Sequence, residues 1–91
     1  MAEKRVRVVV AGDVQGVGFR WYCREQAMGR GVAGFVRNLA DGRVEAVFEG
    51  ESQAVEAMVE WCRHGSRGAD VDHIEVDEDW PQGVQGFEIR R

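Results

Sequence analysis

A glycine-rich turn between a strand and a helix limits the folds open to this chain more than any other feature. The run Val6-Arg7-Val8-Val9-Val10 reads as a strand, with Val6, Val8 and Val10 on one face and Arg5, Arg7 and Val9 on the other. Gly12-Asp13-Val14-Gln15-Gly16-Val17-Gly18-Phe19-Arg20 follows, and residues 20–27 then read as a helix. Such a turn can aim several backbone N–H groups at one point, where the positive end of the helix dipole adds to them. Gln15, Gly16, Val17, Gly18 and Phe19 are the expected donors, and Gly16 and Gly18 permit the dihedrals and the close approach that this requires. Arg20 contributes a permanently charged planar fork that fits two oxygens of one phosphoryl group. An arginine in a first helical turn opposes the dipole, and a bound anion removes that penalty.

Two familiar phosphate loops are excluded. A Walker loop needs lysine after its last glycine, and none follows Gly16 or Gly18; the dinucleotide fingerprint needs a third glycine where Trp21 stands. Nucleotide binding is therefore not supported.

The rest of the chain supplies the fold class. Met28-Gly29-Arg30-Gly31 ends the first helix, and residues 32–38 read as a second strand. Leu39-Ala40-Asp41-Gly42 is a hairpin turn leading into a third strand, residues 43–49, with Val44, Ala46 and Phe48 on its core face. Val55, Met58, Val59 and Cys62 fall at i, i+3, i+4 and i+7 of a second helix that His64-Gly65-Ser66 stops. A fourth strand runs over about 70–77, and the alternation slip between Val71 and Ile74 predicts a bulge; Phe87 and Ile89 mark a short last strand. The order βαββαβ plus a final strand implies an α+β, ferredoxin-like split βαβ sandwich: an antiparallel sheet with two helices on one face.

At 91 residues, with 44% hydrophobic and 31% charged residues, the chain reads as one soluble domain, residues 1–91. It has no apolar run of the roughly 20 residues a membrane helix needs and no secretory h-region, so a cytoplasmic location with no membrane partner is expected. A net charge of −4 with scattered basic residues argues against a nucleic-acid partner. Arg20, the loop donors and Arg37 could still make the field positive at the loop. Cys23 and Cys62 lack metal-ligand spacing. With the two helices taken as roughly parallel, the cysteines would lie about 10 Å apart along the axes, too far for a disulfide. Trp21, Trp61 and Trp80 read as half-buried scaffold, and His64 and His73 as surface residues without a catalytic partner.

Two motifs carry a family resemblance. Val10 to Arg20 matches the first acylphosphatase motif throughout: aliphatic, any residue, Gly, any residue, Val-Gln-Gly-Val, any residue, Phe-Arg. Gly34-Phe35-Val36-Arg37-Asn38, then Gly42-Arg43-Val44 and Gly50, matches the second at the right spacing. The chain thus resembles acylphosphatases, small enzymes that hydrolyse carboxyl-phosphate anhydrides, along essentially its whole length. The resemblance implies that Arg20 and the 15–19 backbone hold the phosphate. It also implies that Asn38 orients the attacking water, a residue whose position alone would read as an ordinary turn asparagine. It further implies a monomer acting on a small acyl phosphate with no metal or other cofactor. Arg30, Arg67 and Asp13 depart from the family pattern, and Asp13 is expected to face solvent. The alternative from another class is a non-catalytic module that binds anions or acyl phosphates on the same scaffold.

Overall fold

The computed structural model describes residues 2–91. Seven elements follow in order: β1 (Glu3–Asp13), α1 (Phe19–Gly29), β2 (Ala33–Asn38), β3 (Val44–Glu51), α2 (Ser52–His64), β4 (Asp70–Asp79) and β5 (Phe87–Arg90). The strands form one sheet in the order β4-β1-β3-β2-β5. The β1–β3, β1–β4 and β2–β3 pairs are antiparallel, as the sequence implies. The short β5 adds to the edge parallel to β2, so the sheet is mixed at that side. The bulge expected in the fourth strand is present: Ala11 pairs with His73 and Gly12 with Val71, which leaves Asp72 as the extra residue.

Burial follows the alternation. Val6, Val8 and Val10 of β1 and Val44, Ala46 and Phe48 of β3 face one core with Phe19, Cys23 and Ala27 of α1 and Val55, Met58 and Cys62 of α2. Both helices therefore cover the same face of the sheet. Full burial of Phe19 or Phe48 contributes about 1.5–3 kcal/mol each by the area rule.

The helices do not run parallel. β1 and β3 run in opposite directions, and each is followed by a helix that reverses its course, so α1 and α2 are antiparallel. This corrects the expected cysteine offset. Cys23, early in α1, and Cys62, late in α2, lie at the same end of the helix layer, where the Phe19 and Trp61 rings meet at 5.1 Å. Both cysteines are free and buried. Burial pushes the Cys62 thiol up to about 12. It also pushes the Cys23 thiol well up, with the neighbouring Cys62 adding to the effect. Neither is a nucleophile near neutral pH. The tryptophans also divide: Trp61 is half-buried as expected, whereas Trp21 and Trp80 are exposed.

The opposite sheet face is organised by two buried carboxylates. Glu45 pairs with both Arg7 and Arg37. Glu49 pairs with Arg5 at 2.9 Å and accepts the N–H groups of Gln82 at 2.9 Å and Gly83 at 2.7 Å. It thereby pins the segment that crosses the sheet from β4 to β5. Burial pushes both carboxyls up, but the arginines, and for Glu49 the two backbone donors, outweigh it and hold both below the usual range. The stability from these depressed groups is fully present above the unfolded carboxyl value of about 4.3 and is lost as pH falls through the lower folded values. Urea midpoints are therefore expected to fall below about pH 4.3, with a shallower fall in Glu45→Gln; an equal slope in that variant would remove Glu45 from the acid response.

Candidate active site

The loop between β1 and α1 takes its shape from alternating backbone signs. Gly16 has φ 76° and Gly18 φ 78°, while among the described residues none other than glycine has positive φ. Negative and positive φ therefore alternate from Gln15 to Phe19, the pattern that turns successive N–H groups toward one concavity. Among the described residues, none of the N–H groups of Gln15, Gly16, Val17, Gly18 and Phe19 donates to a protein acceptor. The start of α1 is equally open, with Gly18 at the cap position, no side-chain cap and no acidic residue in the first turn. Asp13 is exposed, as expected.

A cavity of about 200 Å³ lies at this loop, and Gly16, Gly18, Phe19, Arg20 and Asn38 all line it. Arg20 is half-buried there. Every arginine hydrogen bond or ion pair among the described residues belongs to Arg5, Arg7, Arg30, Arg37, Arg43 or Arg90, which leaves the Arg20 guanidinium unpaired. Asn38 ends β2 opposite Val44. Its Oδ1 is buried with no hydrogen-bond partner. An unsatisfied buried acceptor costs about 1–3 kcal/mol, a cost that a positioned water would remove by donating to it. The site thus joins an unpaired cation, a set of free N–H donors and one orphaned acceptor at the C-terminal end of β2 and the N-terminus of α1.

Arg37 does not join them. Alternation along β2 puts it on the opposite sheet face, where it pairs with Glu45. Val17 contributes its backbone to the loop while its side chain packs against the core.

The Gln15 side chain has a second task that its motif position does not suggest. Its Nε2 donates to Leu39 O at 2.8 Å and Arg43 O at 2.9 Å. Those carbonyls flank the β2–β3 turn, which is closed by the Leu39 N–H to Arg43 O bond at 2.8 Å and the Arg43 N–H to Asp41 Oδ1 bond at 3.1 Å. One amide thus ties the β1–α1 loop to the hairpin that carries Asn38. Gln15→Ala removes two hydrogen bonds and is expected to cost about 1–3 kcal/mol in denaturant unfolding and about tenfold in kcat/KM through misplacement of Asn38. Gln15→Glu, which sets an acceptor against two carbonyls, should be worse; a harmless Gln15→Glu would show that the tie is not used.

A family model described as acylphosphatase matches residues 6–89. An acylphosphatase of Haloarcula marismortui is 57% identical over 90 residues, covering 99% of each chain. One from Synechococcus is 56% identical over 86 residues, covering 94% of this chain and 92% of the relative. Among solved structures, the acylphosphatase of Bacillus subtilis superposes with a TM-score of 0.93 at 39% identity, covering 97% of this chain and 99% of the other. With the motif loop, the second-strand asparagine and the sheet order all in place, the chain belongs to the acylphosphatase family.

Proposed function

We propose that the chain hydrolyses acyl phosphates by gripping the phosphoryl group and directing one water at phosphorus. The observation that carries this reading is that one cavity is lined by the unpaired Arg20, by Gly16, Gly18 and Phe19 of the loop, whose N–H groups are free, and by Asn38, whose Oδ1 is orphaned. Arg20 and the N–H groups of residues 15–19 bind the phosphoryl oxygens and stabilise the charge that spreads over them in a loose transition state. Asn38 Oδ1 accepts a hydrogen bond from the attacking water and holds it in line with the bond to be broken. The water oxygen bonds to phosphorus, the bond from phosphorus to the acyl oxygen breaks, and the carboxylate leaves as a stable anion. The leaving group needs no general acid, and the protons of the water pass to phosphate and solvent. Asn38 positions and is not a base.

An anion-binding module without catalysis gains no support, because binding alone gives the Asn38 acceptor nothing to do. In this reading residues 1–91 act as one domain and as a cytoplasmic monomer. Asp72, Glu75, Asp77, Glu78 and Asp79 on the edge strand β4 would repel a second copy pairing there. Hydrolysis of benzoyl phosphate by the purified chain, followed by ultraviolet absorbance with a chelator present, tests the activity. Turnover far above the uncatalysed rate is expected, and its absence from folded protein would overturn the reading.

A further inference from the structure

The phosphoryl cavity has an apolar rim. Trp21 is 53% exposed and Ile89 40%, and both line the cavity that holds Arg20 and Asn38. Scattered exposed apolar side chains are ordinary on a protein surface. These two come from opposite ends of the chain and meet at one polar pocket.

Local structure sets each of them. Trp21 follows Arg20 in the first turn of α1, and its ring stands edge-on to Tyr22, with centroids 5.1 Å apart and planes at 80°. Ile89 pairs with Val36 across the parallel β2–β5 ladder and lies on the same sheet face as the buried Phe87. It therefore rises on the helix side of the edge strand, near the end of β2 where Asn38 stands. Among the described residues, Arg20 is the sole charged one lining the cavity. Polar recognition is thus confined to the phosphoryl end, and the exposed apolar residues of the remaining wall are Trp21 and Ile89.

From this arrangement, and resting on the acyl-phosphate reading above, we infer that Trp21 and Ile89 form the acyl-group wall and make this chain selective for aromatic or bulky aliphatic acyl phosphates. An aromatic acyl group covers the indole in an offset or edge-to-face contact and removes apolar surface from water. An acetyl group is too small to span the wall. A charged acyl group loses hydration against it and meets no partner there.

The test compares kcat/KM for benzoyl phosphate and acetyl phosphate in the wild type, Trp21→Ala, Trp21→Phe and Ile89→Ala, with inorganic phosphate as a competitive probe. The wild type is expected to favour benzoyl phosphate by about tenfold or more, since one aromatic contact and its buried area carry that much discrimination. In Trp21→Ala the benzoyl-to-acetyl ratio should fall about tenfold, mainly through KM for benzoyl phosphate, with about threefold in Ile89→Ala. Trp21→Phe should restore most of the ratio, and the phosphate inhibition constant should move less than about twofold. Both side chains are exposed, so circular dichroism should show folded variants. A ratio that Trp21→Ala and Ile89→Ala both leave unmoved, with both substrates still turned over, overturns the wall alone. No turnover of either anhydride by the folded wild type overturns the hydrolase reading itself and the wall with it.

Discussion

Arg20→Ala is expected to lower kcat/KM for benzoyl phosphate by about 10²–10⁴-fold and to raise the inhibition constant of inorganic phosphate in step. The guanidinium can make two charge-assisted hydrogen bonds to one phosphoryl group, each contributing about 1.5–3 kcal/mol. At about 1.4 kcal/mol per tenfold, losing both gives that range. Stability should move the other way. Among the described residues Arg20 has no partner, and it sits in the first turn of α1, where a positive charge opposes the dipole. Its removal should therefore leave the denaturant midpoint unchanged or raise stability by about 0.3–1 kcal/mol. Lysine at this position restores charge without the planar fork, so Arg20→Lys should recover part of the binding. A parallel loss of stability and activity in Arg20→Ala would instead make Arg20 a structural residue.

Asn38→Ala separates turnover from binding. The expected result is a fall in kcat of about 10²–10³-fold, the usual size of losing one positioned dipole or one well-aligned reactant. KM and phosphate inhibition should stay within a few-fold. The same change removes an unsatisfied buried oxygen, so the protein should not lose the stability that a satisfied hydrogen bond would have supplied. Near-normal kcat in Asn38→Ala would remove Asn38 from the positioning of water. A large rise in the phosphate inhibition constant would move it to the binding of the phosphoryl group.

The parts of this structure that were legible in the sequence depend on local pattern. The valine alternation of β1, the amphipathic stripe of α2, the Asp41-Gly42 turn and the slip before Ile74 each report their own surroundings, and each has its counterpart in the fold. The loop could be read because glycines at positions 16 and 18 are what alternating φ signs require. What was missed depends on partners distant in sequence. The cysteine offset is the exception, because the antiparallel sheet implied by the element order already makes the two helices antiparallel and puts Cys23 and Cys62 at one end. Arg37 looked available to the phosphate until register put Glu45 beside it on the other face. The amide of Gln15 reaches carbonyls 24 and 28 residues away, and nothing at position 15 announces that reach. Trp21 and Trp80 read as scaffold in the sequence, yet both are exposed, because tryptophan alone does not reveal its side of a helix or turn.

The most direct test of the account is hydrolysis of benzoyl phosphate by the folded protein in ¹⁸O-labelled water, with the label located in the products. If the loop and Arg20 hold the phosphoryl group while Asn38 aims water at phosphorus, turnover will be fast and the label will appear in inorganic phosphate. Label in benzoate would place the attack at the carbonyl carbon, and absence of turnover would deny the reaction altogether. Either result would contradict the account.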